Sequence, residues 1–222
     1  MIELGHFACM LALCLALAQS MLAWRSQITL PVMQRLLLSE CCCLLFACVS
    51  LWAAFLLHDF SVAVVYAHSH HHLPWWYRLT ALWGGHEGSV LFWVTLLAGW
   101  RLAFSRYATF LDQDKKNILG VLALIGLGIT AFLLFSSNPF TRLLPLAPLE
   151  GKDLNPLLQD PGMASHPPIL YFGYVAFAIP YACMCVMLWR GKVIDNWAQK
   201  LRPWVLLAWS ALTCGIVLGS WW

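Results

Sequence analysis

The sequence predicts an all-α, polytopic membrane helical bundle with about six transmembrane helices. Of its 222 residues, 61% are hydrophobic and only 10% are charged, and the mean hydropathy is +0.73. A water-soluble domain carries about a quarter charged residues. The apolar residues also form blocks that approach or exceed the roughly 20 residues a helix needs to cross a bilayer. An ordinary soluble enzyme is therefore excluded.

Six apolar segments define the predicted helices of one membrane domain that spans residues 1–222. They lie at about residues 4–24, 37–57, 88–104, 118–136, 169–189 and 204–222. A helix is expected for each, because it satisfies its own backbone hydrogen bonds in hydrocarbon. The segment 88–104 is the shortest, and its helix is expected to begin in the preceding Gly84-Gly85 segment. Two outer connections, 58–87 and 137–168, complete the predicted domain.

The positive charges predict the orientation, because cytoplasmic connections are enriched in Lys and Arg. Ten of the thirteen Lys and Arg residues fall on one predicted side. The other side holds Arg78, Arg142 and Lys152. We therefore expect both termini and both outer connections to face away from the cytoplasm. The net charge of +3 follows from the inward excess and indicates no nucleic-acid partner.

Two acidic residues bear on the predicted helices. Glu3 precedes the first apolar run, and no Lys or Arg does, so this run is interpreted as a retained helix and not as a cleaved signal peptide. Glu40 is the one acidic residue predicted inside a span. It is expected at the inner interface, where it needs no partner, and this disfavours a small-solute transporter with charged groups near the midplane.

All eight histidines fall at or beyond the predicted outer face. They are His6, His58, His68, His70, His71, His72, His86 and His166. Imidazole is a metal ligand and titrates near neutral pH, so this distribution predicts chemistry on the outer side. The alternative is that neutral imidazole is merely tolerated in interfacial loops. The tract 68–72 is interpreted as a solvated loop, since no Cys or carboxylate lies around it at zinc-site spacing.

His86 and His166 are the two histidines whose neighbours indicate a fixed position. His86 lies in segment 83–89, where three glycines in five residues allow close approach to a neighbour or ligand; alternatively, His86 bonds a neighbouring helix. His166 precedes Pro167-Pro168 and is expected in extended backbone at a helix entry. That would hold it at one height on the outer surface, as an axial ligand requires. The alternative is a solvated helix-entry histidine.

Cysteine and tryptophan usage narrows the function classes further. All nine cysteines lie in predicted helices and are interpreted as small buried hydrophobes. Without C-x-x-C or C-x-x-C-H, the chain is neither a thioredoxin-like reductant nor a c-type cytochrome. Thirteen tryptophans exceed the needs of interfacial anchoring. The outer ones near His86 and at the chain end provide aromatic faces that suit a flat macrocycle.

Four motifs together resemble the CcmF/NrfE family of haem lyase subunits from the bacterial cytochrome c maturation pathway. They are LPWWYR at 73–78, WGGHEGS at 83–89, EGKDLNPLLQDPG at 150–162 and HPPILY at 166–171. They occur in the same order as in the family, and the resemblance runs from about residue 58 to the end. One branch, NrfE, resembles a dedicated lyase for cytochrome c nitrite reductase.

The resemblance implies a multi-pass protein of the bacterial inner membrane whose functional loops face the periplasm. Members of the family take haem, their substrate, from a haem chaperone. Together with other maturation subunits they join the haem vinyl groups to the C-x-x-C-H thiols of apocytochrome c. By position, His166 matches a histidine that serves as an axial ligand of the haem iron. Trp83, His86, Trp221 and Trp222 are then expected to line the haem site.

The length of the chain departs from the family, whose members are more than twice as long. The resemblance therefore implies a truncated product or one piece of a split lyase. It also leaves a second function open, in which these helices form a non-catalytic scaffold or docking subunit for cytochrome c assembly.

Overall fold

The computed structural model describes all 222 residues and is almost entirely helical. In chain order its helices are α1 (Ile2–Leu22), α2 (Leu30–Leu56), α3 (Ala63–His68), α4 (Trp75–Thr80), α5 (His86–Tyr107), α6 (Asp112–Phe135), α7 (Pro161–Ala176), α8 (Ala178–Arg190) and α9 (Trp197–Trp221). Short 3-10 turns occupy 81–83 and 156–158. Six helical spans, with α7 and α8 forming one of them, are long and apolar enough to cross a membrane. The predicted fold class is confirmed.

Four helices begin six or more residues earlier than hydropathy alone indicates, and one of them is α6, which begins at Asp112 and not at 118. α2 begins at Leu30 and not at residue 37, α7 at Pro161 and not at 169, and α9 at Trp197 and not at 204. At α7 the cause is local, because Asp160 accepts a hydrogen bond from the Gly162 backbone N–H at 2.7 Å. Aspartate caps a helix start, and proline fits the first turn. The first turns of these helices are therefore helical although they lie outside the predicted apolar segments.

Both termini lie at the end of the bundle that carries the two long connections. Nδ2 of Asn138 lies 3.2 Å from Nε2 of His6, and the rings of His166 and Trp222 are 5.8 Å apart. We call this the loop end. The opposite end carries the three short connections 23–29, 108–111 and 191–196 with most of the Lys and Arg residues, and we call it the basic end.

A buried polar cluster joins α1, α2 and α5. Nη1 of Arg101 donates to Oε1 of Glu40 at 2.7 Å, and Nη2 donates to Oε1 of Gln19 at 2.8 Å. Nε2 of Gln19 donates in turn to the other Glu40 oxygen at 2.6 Å. All three side chains are buried. The expectation that Glu40 lies at the interface without a partner is therefore wrong, because the antiparallel helices place Arg101 beside it.

α7 and α9 are in close contact through glycine. A Cβ on Gly173 would lie 2.2 Å from the backbone nitrogen of Leu212, and one on Gly215 would lie 2.6 Å from Cα of Leu170. Side chains of any size would separate the helices at these points. Small residues commonly allow such close crossings between membrane helices.

α9 is attached to the bundle mainly through α7. Within the most apolar 18-residue stretch of α9, only 11% of the residues are buried, compared with 33 to 50% in the corresponding stretches of the other five spans. Large apolar side chains such as Leu206, Trp209 and Ile216 are exposed along it. One side of α9 therefore faces lipid or a further helix.

Removing one charge of the buried cluster should destabilise the bundle. Arg101→Met leaves the Glu40 carboxylate buried without a cation, which costs about 3–5 kcal/mol in such pairs. The free energy of unfolding, determined in mixed detergent micelles, measures this loss of stability. Arg106→Met, at the exposed end of the same helix, is the control and should change stability by less than about 0.5 kcal/mol. A double variant, Glu40→Leu with Arg101→Met, should recover most of the lost stability. Equal stability of Arg101→Met and Arg106→Met would contradict the account.

A methyl group at the α7–α9 crossing should also be destabilising. The methyl group of Gly173→Ala or Gly215→Ala would push the backbones of α7 and α9 apart. Overpacking of this kind lowers the free energy of unfolding by about 1–3 kcal/mol. Gly128→Ala in α6 is the matched control, because nothing lies within 4 Å of a Cβ built there. Thermal unfolding in detergent should rank both crossing variants below Gly128→Ala. A lower midpoint for Gly128→Ala would overturn the assignment.

Candidate functional site

Prolines in α7 leave backbone carbonyls free at the loop end. Pro167 and Pro168 lie inside the helix, so neither provides the N–H that normally reaches back four residues. The carbonyl of Met163, which Pro167 leaves without that partner, accepts a hydrogen bond from Nε1 of Trp83 at 2.8 Å. Trp83 thereby ties the start of α5 to α7, and it is an anchor of the helix that carries His166.

His166 lies within the second turn of α7, not in extended backbone before a helix. Its Nδ1 is 2.8 Å from the carbonyl oxygen of Gly215 in α9. A carbonyl only accepts, so Nδ1 carries the proton and donates. In the neutral ring Nε2 then keeps its lone pair and is the nitrogen available to a metal. Backbone carbonyls orient many metal-binding histidines in this way.

The last residues of α9 complete the surroundings of His166. The Trp222 ring lies 5.8 Å from that of His166 at 44°. Gly219 lies against the imidazole, since a Cβ there would be 2.4 Å from Cε1 of His166. His166 is half-buried, while Trp221 is 73% exposed. The site therefore combines a fixed imidazole with aromatic surface and an open side.

The segment 83–89 packs tightly because it contains glycine. A Cβ on Gly88 would lie 1.8 Å from the carbonyl oxygen of Leu82, so no other residue fits without rebuilding the turn. His86 begins α5, and its Nδ1 lies 2.9 Å from Oγ of Ser137. His86 therefore contacts the residues that follow α6, which agrees with the alternative that it bonds a neighbouring element.

His86 also lines a cleft between α5, α6 and α7. This cleft measures about 450 Å³ and is lined by His86, Ser89, Val90, Trp93, Ile129, Phe132 and Tyr171. Tyr171 follows His166 by five residues, which places the two side chains about 140° apart around α7. The cleft and the His166 site consequently lie on different sides of the same helix.

The motif at 150–162 forms a strap that leads into α7. The backbone N–H of Lys152 donates to the carbonyl of Tyr66 at 2.7 Å. Oε2 of Glu150 lies 2.7 Å from Nδ1 of His71. Partial burial opposes ionisation of Glu150, but hydrogen bonds from His71 and from the Gly151 backbone outweigh it and lower the pKa of this carboxyl to about 2. The motif therefore has a structural role in positioning the helix of His166.

The histidine tract packs against the strap and the neighbouring connection. Nδ1 of His68 lies 3.0 Å from the carbonyl of Val64. The rings of His58 and His71 stack with centroids 4.6 Å apart. Burial lowers the pKa of His58, and the nearby Arg78 guanidinium lowers it further. Contacts with protein groups thus account for His68 and His71 of the tract.

The structure brings together only part of the predicted site. His166 and Trp222 are in contact, Trp221 is adjacent and exposed, Trp83 anchors α7 through its backbone, and His86 faces the separate cleft. Sequence reasoning did not identify the role of Gly215. A signal was present in Gly215-Ile-Val-Leu-Gly219, because G-x-x-x-G in an apolar segment indicates a close helix crossing.

Comparison with known proteins places this geometry in a family. Residues 83–222 match the family model described as cytochrome C assembly protein. The chain is 47% identical over 226 residues to the cytochrome c-type biogenesis protein CcmF of Pseudomonas aeruginosa, covering 99% of the chain and 34% of that protein. It is 46% identical over 170 residues to the NrfE protein of Haemophilus influenzae, covering 76% of the chain and 27% of that protein.

A solved structure agrees with these sequence matches. The structure titled cytochrome c heme lyase CcmF superposes with a TM-score of 0.83 at 28% identity, covering 100% of this chain and 36% of that one. The chain thus spans about a third of the length of the relatives it matches. Six apolar helices and bacterial relatives identify a multi-pass bacterial membrane protein. With the family model matching more than half of its residues, the chain belongs to the cytochrome C assembly protein family.

Proposed function

We propose that this chain is part of a cytochrome c maturation haem lyase, in which His166 binds the iron of the substrate haem. The observation that carries the proposal is the hydrogen bond from Nδ1 to the carbonyl of Gly215. It leaves Nε2 as the coordinating nitrogen and increases its basicity. The CcmF relatives and the solved haem lyase structure support the same reaction class.

The aromatic residues at the end of α9 line the proposed haem site. Trp222 already contacts His166, and the exposed indole of Trp221 provides further apolar surface for the porphyrin. Trp83 would affect the site indirectly, because its hydrogen bond to α7 positions the helix that carries His166. His86 lies at the neighbouring cleft and would line only a site that extends around α7.

The proposed reaction needs positioning more than acid or base chemistry. A cysteine thiol of the apocytochrome C-x-x-C-H motif adds across a haem vinyl group. The S–H bond breaks, a C–S bond forms, and the proton goes to the other vinyl carbon, with no net oxidation or reduction. Iron coordination by His166 would hold the ring with its vinyl edge towards the peptide, and such proximity is a large contribution to rate.

The proposed setting follows from the asymmetry of charge. The basic end would face the cytoplasm under the positive-inside rule, and the loop end with His166 would face the periplasm from the inner membrane. A haem chaperone would deliver haem there, and apocytochrome c would receive it. Other maturation subunits would associate with the same protein.

The second candidate is a non-catalytic scaffold or docking subunit. It is favoured by α9, whose large apolar side chains are mostly exposed and offer a surface for further helices. In this role the chain would organise a haem-handling partner without binding haem. Purification in detergent distinguishes the two candidates: a Soret band at stoichiometric haem supports the lyase, whereas stable partner copurification without haem supports the scaffold.

Removing the proposed iron ligand should strongly weaken haem binding. His166→Ala is expected to weaken haem affinity by more than the roughly 10- to 100-fold that loss of an outer-shell partner costs, because the coordinating nitrogen itself is absent. Absorbance titration of the purified chain with haem measures this effect. Added imidazole should restore the axial-ligand spectrum, which a purely structural histidine would not allow.

Two further observations make the His166 test specific. His86→Ala, on the other side of α7, should retain the wild-type axial-ligand spectrum. When the chain is co-expressed with a segment that supplies the remaining length of its relatives, His166→Ala should also reduce cytochrome c yield. Wild-type haem spectra and yield in His166→Ala would contradict the proposed ligand.

A further inference from the structure

A second polar cavity lies at the basic end, away from the haem-handling surface. It measures about 280 Å³ and lies between the start of α6, the end of α8 and the connection to α9. Its lining residues are Leu111, Asp114, Arg190, Lys192, Val193, Ile194, Asp195 and Lys200. We call it the basic-end cavity. None of its residues takes part in the proposed haem site.

The charges of the basic-end cavity do not cancel. Arg190 forms an ion pair with Asp114, whose side chain is only 11% exposed. The remaining charged lining groups are Lys192, Lys200 and Asp195. Three cations and two carboxylates leave one net positive charge. The cavity therefore suits a ligand with a single negative charge.

Local structure holds both lysines at this cavity. Gly191, with φ of 59°, ends α8 in a left-handed conformation. The backbone N–H of Lys192 then donates to the carbonyl of Met187 at 3.3 Å, which fixes the backbone of Lys192 at the lining of the cavity. Nζ of Lys200 lies 5.5 Å from the centre of the Phe110 ring. A cation–π contact of this kind restrains an ammonium group without neutralising it.

Two apolar residues in the lining of the same cavity are exposed. Leu111 is 72% exposed and Val193 is 65% exposed. Large apolar groups beside lysines are typical of the height where hydrocarbon meets the polar interface. The basic-end cavity thus offers charge on one side and apolar surface on the other.

We propose that the basic-end cavity binds the phosphodiester of an anionic glycerophospholipid such as phosphatidylglycerol. Lys192 and Lys200 donate to the phosphate oxygens, and the single lipid charge balances the net charge of the cavity. Asp195 accepts a hydrogen bond from a head-group hydroxyl. The acyl chains lie against Leu111 and Val193, the exposed apolar residues of the lining. A lipid bound there would tie the α8–α9 connection to the start of α6.

Lipid titration of the delipidated chain tests the proposal. Native mass spectrometry in detergent compares phosphatidylglycerol with phosphatidylcholine, and thermal unfolding compares it with inorganic phosphate. Wild-type protein should retain phosphatidylglycerol preferentially, and phosphate alone should not stabilise it. Lys192→Gln with Lys200→Gln should weaken phosphatidylglycerol binding by at least about tenfold, the effect of losing one charge-assisted hydrogen bond to the phosphate.

Arg106→Gln with Arg202→Gln is the matched control. Both arginines are exposed, and these substitutions remove two charges from the basic end without changing the lining of the cavity. This variant should bind phosphatidylglycerol like wild type. Three results would each overturn the proposal: equal binding of phosphatidylcholine by wild type, equal weakening in the control, or equal stabilisation by free phosphate. The two wild-type comparisons hold regardless of how the variants fold.

Discussion

The hydrogen bond between His166 and the carbonyl of Gly215 depends on how closely α7 approaches α9. Glycine at 173, 215 and 219 removes the side chains that would hold the helices apart. The imidazole consequently lies against α9 and reaches a backbone oxygen, which selects the Nδ1-protonated tautomer. Without this contact the same histidine would be a surface residue with no preferred tautomer, and the proposed iron ligand would have no fixed orientation.

The loop end holds α7 in the position that this contact requires. The prolines that follow His166 release a carbonyl, and Trp83 uses it to join α5 to α7. The strap at 150–162 runs from the histidine tract to the Asp160 cap. Deeper in the bundle, Arg101 and Glu40 neutralise each other where neither charge could remain alone. Charge pairing thus joins α1, α2 and α5, whereas glycine contacts join α7 to α9.

The sequence was sufficient for the number and type of spans, because hydropathy over about 20 residues reports directly on burial in a bilayer. It was insufficient for helix starts such as that of α7, where Asp160 provides the cap. It was also insufficient for Glu40, whose partner Arg101 is 61 residues away and meets it only through antiparallel packing. His166 was identified from its motif, but its tautomer requires the position of α9, which no local pattern near residue 166 contains.

The tautomer of His166 tests the central claim most directly. Nitrogen-15 NMR of histidine-labelled protein in detergent, with the His166 signals assigned by their loss in His166→Gln, distinguishes protonated from lone-pair ring nitrogens. The account predicts a protonated Nδ1 and an Nε2 that bears the lone pair at a pH where the ring is neutral. A protonated Nε2 with the lone pair on Nδ1 would contradict it, because the coordinating nitrogen would then face the Gly215 carbonyl.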